Sequence, residues 1–172
     1  MRPRKPIAIK SEWAEIPLKK GIVALIDLSD VPTADKYGWV LDDTKANWYV
    51  HTCIDRKLRT KTVRLHQLLL QPPKGFFVDH KNGNGLDNRR SNLRLATNSQ
   101  NGANRRKLSP KTSAYKGVHR RENGKWRASI RVNKRLLHLG TFENEIDAAA
   151  AYNKAALLHF GEFAWLNLLP SF

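Results

Sequence analysis

The chain has 172 residues, 41% hydrophobic and 9% aromatic, enough to bury a core in one ordinary domain or two small ones, which excludes a disordered tail. Lys and Arg number 31 against 15 Asp and Glu, a net charge of +16, so a polyanionic partner is expected and nucleic acid comes first. Cys53 is the only cysteine, which excludes an internal disulfide and a cysteine-built zinc site; the start MRPRKP leads into no apolar run, no stretch nears the roughly 18 apolar residues of a membrane helix, and a soluble cytoplasmic protein is expected.

Residues 1–60 are mixed, with strand formers at 22–26, 38–40 and 48–51 and turn residues at Pro32, Asp42-Asp43 and Asn47. The pattern predicts short antiparallel strands and one helical turn over 32–36. Residues 61–104 form the next region. A strand over 62–65 runs into a short helix over 66–70, stopped by Pro72-Pro73. Phe76, Phe77 and Val78 form a strand that enters Asp79-His80, an Asn- and Gly-rich loop covers 81–87, and a strand returns over 93–97. A helix then opens at Asn98 or Ser99, either of which can cap its free N–H groups. Residues 105–114 are a basic linker, in which Arg105 and Arg106 can lie along phosphates.

Residues 115–168 have their own pattern. Trp126, Ala128, Ile130 and Val132 alternate with Lys125, Arg127, Ser129 and Arg131, the mark of a strand with one apolar and one basic face. Asn133-Lys134 predicts a hairpin turn, 136–142 the next strand, and 144–160 an alanine-rich helix between a cap at Asn144 and Gly161. Between residues 102 and 140 stand 12 Lys or Arg and one acid, Glu122. A basic two- or three-stranded ribbon of that kind has the width of a DNA major groove.

The segment VDHKNGNGLDNRRSNLRLATNSQN, residues 78–101, gathers groups suited to phosphodiester hydrolysis. That reaction needs an activated water, neutralised phosphate charge and a stabilised leaving oxygen, which one imidazole and one divalent ion can supply together. Asp79 and Asn101 offer hard oxygen donors suited to Mg²⁺ or Mn²⁺. VDHKNGN, NRRSNLRLAT and the Asn at 101 resemble the HNH endonucleases, the ββα-metal nucleases, and in particular the phage homing-endonuclease branch in which Asn replaces the last His. The resemblance implies that Asp79 and Asn101 bind the metal, that His80 is the general base, and that Asn92 orients His80 through its side-chain carbonyl. His66, in the upstream segment RLHQLLL, is expected to be structural. Arg89, Arg90 and Arg94 form a basic rim that is either solvated or in contact with phosphate.

YKGVHRRENGKWRASIRV, LHLGTF, AAAAYNKAA and FGEFAWLN resemble the AP2/ERF DNA-binding domain. The resemblance implies contacts to DNA from Lys116, His119, Arg121, Arg131 and His138; Arg120, Lys125 and Arg127 join them on the charge pattern. The expected fold is therefore α+β: short antiparallel strands, a ββα-metal nuclease core, and a three-stranded antiparallel sheet packed on one helix. The expected function is a metal-dependent endonuclease of homing type acting on double-stranded DNA, with no membrane and no obligate protein partner. The competing reading is a non-catalytic DNA-binding regulator with a relic nuclease motif; the intact Asp79, His80, Asn92 and Asn101 set favours the enzyme. An RNA-binding protein ranks third, because the sequence lacks the exposed aromatic platforms that single strands favour.

Overall fold

A computed structural model describes residues 6–43, 47–54, 61–106 and 112–170. The fold is mixed α and β, built from several small antiparallel sheets and few helices, as expected. The chain divides into two units, Met1–Ala96 and Thr97–Phe172.

The first unit opens with three antiparallel strands, β1 (Ala8–Ile9), β2 (Trp13–Pro17) and β3 (Val23–Asp27), in the order β1-β2-β3. In β2 and β3 every second residue is buried: Ala14 and Ile16 on one, Ala24 and Ile26 on the other. A single helical turn, α1 (Val31–Ala34), begins with Pro32 in its first turn, the position where a missing N–H does no harm. A second sheet joins β4 (Val40–Asp42), β5 (Tyr49–Cys53) and β6 (Thr62–Arg64). The boundary expected at residue 60 is crossed by this sheet, and one core gathers Ala14, Ile16, Ala24, Ile26, Leu41 and Val50 with Leu65 and Leu69. Residues 8–54 are thus the platform on which the nuclease motif is built. Leu65 and Leu69 belong to α2 (Leu65–Leu70), which ends at Gln71 in a left-handed conformation just before the two prolines. β7 (Phe77–His80) and β8 (Leu93–Ala96) form a two-stranded antiparallel ladder that pairs Asp79 with Arg94 and His80 with Leu93.

The second unit begins with α3 (Asn98–Ala103), whose cap is Thr97 and neither of the two expected residues. Thr97 Oγ1 accepts from the Gln100 N–H and the Gln100 side chain returns to the Thr97 N–H, a reciprocal pair that a Thr three residues before a Gln makes possible. Half of the expected basic linker, residues 107–111, lies outside the described residues. A three-stranded antiparallel sheet follows: β9 (Val118–Arg120), β10 (Trp126–Val132) and β11 (Arg135–Phe142), with β10 in the middle. Asn133 and Lys134 both have positive φ, 47° and 69°, the conformation of a two-residue hairpin turn that the twist of the strands favours. The alternation along β10 holds, but β11 carries a bulge: Ala128 faces Gly140 and Ser129 faces His138, leaving Leu139 without a partner. α4 (Glu145–Phe160) packs on the sheet through Ala148, Ala149, Tyr152 and Ala156, with the Asn144 side chain accepting from the Asp147 N–H at 2.8 Å. Gly117 (φ 76°) shows why the alanines and glycines matter: a Cβ there would stand 2.0 Å from the Tyr152 ring.

Candidate active site

β7 ends at His80, and the turn that begins at Lys81 lets two neighbouring residues serve one place. Asp79 and His80 are both buried, each 5% exposed. The loop from 81 to 92 is held by its own side chains. Asn82 Oδ1 accepts from the Asn84 N–H, Asn84 Oδ1 accepts from the Leu86 N–H, and Asn82 Nδ2 donates to Asp87 at 3.0 Å. Such Asn turns replace the backbone ladder that a loop lacks. β3 buttresses the far side: the Leu25 N–H donates to Leu86 O and the Asn88 N–H to Leu25 O, both at 2.8 Å. Gly85 is required where β5 passes, because a Cβ would lie 2.2 Å from Trp48 O and 2.7 Å from the Tyr49 ring.

The three arginines of the expected basic rim are structural clamps. Arg89 forms a two-pronged pair with Asp87 at 2.8 and 2.9 Å and holds that carboxyl below its ordinary pKa. Arg90 forms a two-pronged pair with Asp30 at 3.1 and 2.7 Å, while its N–H donates to Asp27. Arg94 Nε donates to Asp79 Oδ2 at 2.9 Å, with the side chains 10% and 6% exposed. Arg89 and Asp87 are two residues apart, whereas Arg94 meets Asp79 only through the ladder and Arg90 meets Asp30 only across 60 residues of sequence, so no local pattern marks those two pairs.

His80 stands in a ring of aromatic neighbours. The His66 ring meets it edge-on at 4.9 Å, and Tyr49 is 6.0 Å from His80 and 5.6 Å from His66. His66, expected to be structural, is buried at 4% exposure against the central imidazole, and its Nδ1 has no hydrogen-bond partner among the described residues. Burial, then the His80 and Arg64 charges, push its pKa down to about 3. Burial also holds His80 below its ordinary value, against the upward pull of Asn88 and of the Asp79 and Asp87 carboxylates. A neutral imidazole at pH 7 is what a base requires.

Asn88, which the sequence did not single out, supplies the amide oxygen facing the ring, 3.4 Å from His80 Nε2. An amide oxygen only accepts, so at that contact Nε2 carries the proton and the lone pair falls on Nδ1. Asn92 was expected in this role. Its Oδ1 instead accepts from the Asn82 N–H at 3.1 Å and its Nδ2 donates to Asp87 O at 2.7 Å, because loop closure draws it across the base of the loop. Both asparagines are buried.

Asp79 is a buried hard-oxygen donor whose charge already requires a neighbouring cation, a setting that fits a hard divalent ion. Among the described residues no group of three or more His, Cys, Asp or Glu is placed to hold a metal, so protein donors would be few and water and phosphate oxygens would complete the shell. Asn101 is half-buried on α3, in the second unit.

On the sheet, directly opposed residues share a face. His119 opposes Arg127, His138 opposes Ser129 and Leu136 opposes Arg131, so these lie on the face away from α4. His119, Arg131 and His138 are exposed there, and Arg121 is exposed at the turn beyond β9. Arg127 is half-buried, with no hydrogen bond to its Nε among the described residues. Arg120 has the opposite parity: it pairs with Trp126 and its guanidinium sits 5.7 Å from that ring. Lys125 pairs with Glu143 at the exposed strand end. Arg105 and Arg106 are exposed, Arg106 over the Trp165 ring at 4.9 Å. Lys116 departs from its expected DNA contact. Its ammonium donates to Ala103 O and lies 3.5 Å from Gly102 O, and burial, with Arg105 second, lowers its pKa to about 8.

A family model described as HNH endonuclease matches residues 72–103, the span of β7, the loop, β8 and α3. An uncharacterised HNH endonuclease of Acanthamoeba polyphaga mimivirus is 32% identical over 154 residues, covering 86% of this chain and 76% of that one. The chain belongs to the HNH endonuclease family. Enzymes of this family generally depend on a divalent metal ion. The C-terminal part of this HNH endonuclease is similar to AP2/ERF-type transcription factors of plants. Dehydration-responsive element-binding protein 2D of Arabidopsis thaliana is 44% identical over 81 residues, 45% of this chain and 39% of that protein. An AP2/ERF and B3 domain-containing transcription factor of the same plant is 44% identical over 46 residues, 27% of this chain and 13% of that protein. The chain therefore spans well under two thirds of either plant protein. Nuclease and AP2/ERF relatives together imply DNA as the partner of this endonuclease. No solved structure matches it. Among the described residues no helix is long and apolar enough to cross a membrane.

Proposed function

We propose that this HNH endonuclease is a metal-dependent enzyme of homing type that hydrolyses duplex DNA at a preferred target. What carries the reading is a neutral, buried imidazole, His80, beside a buried carboxylate, Asp79, at the end of a strand. His80 Nδ1 takes a proton from water as the water oxygen forms its bond to phosphorus. The bond from phosphorus to the leaving oxygen breaks, and that oxygen acquires a proton from solvent. A Mg²⁺ or Mn²⁺ ion bound through Asp79 and Asn101 would neutralise the phosphate and the leaving oxygen. Asn88 fixes the imidazole tautomer, Asn92 fixes the loop that carries it, and the His66 and Tyr49 rings hold water away from its inner edge. The exposed His119, Arg121, Arg131 and His138 would read or follow the duplex, with Arg105 and Arg106 along the phosphates.

The test is cleavage of plasmid DNA and of target libraries with Mg²⁺, with Mn²⁺ and in EDTA. Wild type should cut with either ion, at a restricted set of sequences, and stop in EDTA. His80→Ala should lower the rate by roughly 10²–10⁴ while duplex affinity stays near that of wild type. Cleavage in EDTA would end the metal reading, and undiminished turnover of His80→Ala would remove His80 from the mechanism.

A further inference from the structure

Among the described arginines of the first unit, three are each held by a carboxylate: Arg89 by Asp87, Arg90 by Asp30 and Arg94 by Asp79. The fourth, the half-buried Arg64, forms no ion pair with any described residue. Its contact is with a ring. The guanidinium carbon lies over the face of Tyr49, 4.7 Å from the ring centre. A cation on an aromatic face is held in place, while the N–H edge of its planar fork stays unspent.

The β5–β6 ladder explains where that fork stands. Val50 and Thr52 are the buried residues of β5 and Val50 joins the core, so Tyr49 and His51 turn to the opposite side. Arg64 opposes His51 and shares that side, one diagonal step from Tyr49. The same ring adjoins the nuclease loop: a Cβ on Gly85 would stand 2.7 Å from it, and its centre is 6.0 Å from that of His80 and 5.6 Å from that of His66. Tyr49 therefore stands between Arg64 and the two imidazoles. The charge of Arg64 is felt there, since after burial and His80 it is the next cause that lowers the pKa of His66. Its backbone is fixed where the strand becomes a helix, with the Arg64 N–H donating to Gln67 Oε1 at 3.4 Å.

We propose that Arg64 is a substrate-binding residue of this endonuclease: its guanidinium, set on the Tyr49 ring, clasps a phosphate of the strand being cut, beside the bond that is hydrolysed. This rests on the reading of His80 as the group that marks the cut. Two adjacent phosphate oxygens match the planar fork of an arginine. The guanidiniums of Arg89, Arg90 and Arg94 are committed to carboxylates, so Arg64 is the one beside the imidazoles, among the described residues, whose counter-charge has still to arrive. The Tyr49 face orients the fork before DNA comes, which lowers the ordering cost of taking the phosphate.

The test uses the full-length protein and a duplex that contains a mapped wild-type cut site. The phosphates flanking the cut are made neutral one at a time as methylphosphonates, and duplex affinity is measured in EDTA, where no cleavage intervenes. Arg64→Met keeps an apolar stem over Tyr49 and removes the fork. It should lower duplex affinity in EDTA, and kcat/KM with Mg²⁺, roughly 10- to 100-fold, the range for losing a hydrogen bond to a charged group. In wild type one neutralised phosphate beside the cut should cost about as much. In Arg64→Met that same phosphate should cost almost nothing, while the other flanking phosphates cost both proteins alike. Arg64→Lys, a point charge without the fork, should keep part of the affinity. Should Arg64→Met not fold, Arg64→Lys carries the same comparison with a partial loss. Equal costs in both proteins at every flanking phosphate would overturn the proposal, and so would a lower urea midpoint without such coupling, which would make Arg64 a cover for Tyr49. His80→Ala separates the two layers. If it cuts as fast as wild type while the coupling stands, the reading of His80 fails and Arg64 remains a phosphate ligand. If it is inactive and the coupling is absent, the role of Arg64 alone is refuted.

Discussion

Arg94→Met removes the cation that accompanies the Asp79 carboxylate while keeping most of the apolar stem. The pair is nearly sealed, at 10% and 6% exposure, so the Coulombic attraction lost is not the weak, screened kind found at surfaces. Stripping one partner from a buried pair leaves an uncompensated charge, at about 3–5 kcal/mol. Taking the lower end and a urea slope of about 2 kcal/mol per molar, the unfolding midpoint in EDTA should fall by about 1.5 M. Mg²⁺ should then do more for the variant than for wild type, because the ion replaces the charge that Arg94 supplied beside Asp79. At 100 times its dissociation constant it adds about 2.7 kcal/mol, nearly the whole deficit. Wild type, where Arg94 and the ion address the same carboxylate, should gain less. Urea titrations of both proteins, with EDTA and with Mg²⁺, measure all four quantities. A variant midpoint in EDTA within a few tenths molar of wild type, or an Mg²⁺ response no larger than wild type's, would refute the reasoning.

The buried His66 should make the fold acid-labile. Its folded pKa of about 3 lies below the ordinary 6.5, so the unfolded chain binds the proton first, and stability present above pH 6.5 is lost as pH falls toward 3, with a slope approaching about 1.4 kcal/mol per pH unit. His66→Asn should flatten that slope in denaturation curves taken across the window, and superimposable curves would show that His66 does not titrate as described. On the sheet, Arg131→Ala should lower duplex affinity at low salt by roughly 1–3 kcal/mol and Arg120→Ala by clearly less, since only Arg131 lies on the outer face. Equal losses in gel-shift titrations would overturn that assignment of faces.

Much of the fold was legible because it follows local rules. The apolar face of β10, the Asn133-Lys134 turn and the ends of α4 each depend on a few neighbouring residues and stand as expected, although Ser129 on the other face of β10 is buried too. β2 went unread because its buried positions are Ala14 and Ile16, a small residue and one aliphatic, and its last residue is a proline. Within the site, Asp79 and His80 could be read from their motif, whereas their surroundings could not. Asn88 and Asn92 are the same side chain four residues apart, and only the closure of the loop decides which one meets the imidazole. Arg90 finds Asp30 across 60 residues of sequence, a pairing no local pattern encodes. Lys116 was expected at DNA through the AP2/ERF resemblance, and no local pattern signals that its ammonium donates to Ala103 O at the end of the six-residue helix α3.

The bulge in β11 also settles which kinds of change the C-terminal sheet can absorb. Leu137 and Leu139 are two residues apart, but Leu139 and Phe142 are three apart, an odd interval that a regular strand would send to opposite sides. The unpaired Leu139 corrects the count, so that Phe142 joins Val118, Ala128 and Leu139 on the α4 side. Deleting Gly140 would leave Leu139 and Phe142 two residues apart, so a regular strand would hold both on the α4 side without the bulge. This strand therefore stores its orientation in its parity. Substitutions along it change the outer face one side chain at a time, whereas a single-residue insertion or deletion away from the bulge exchanges the core for the face.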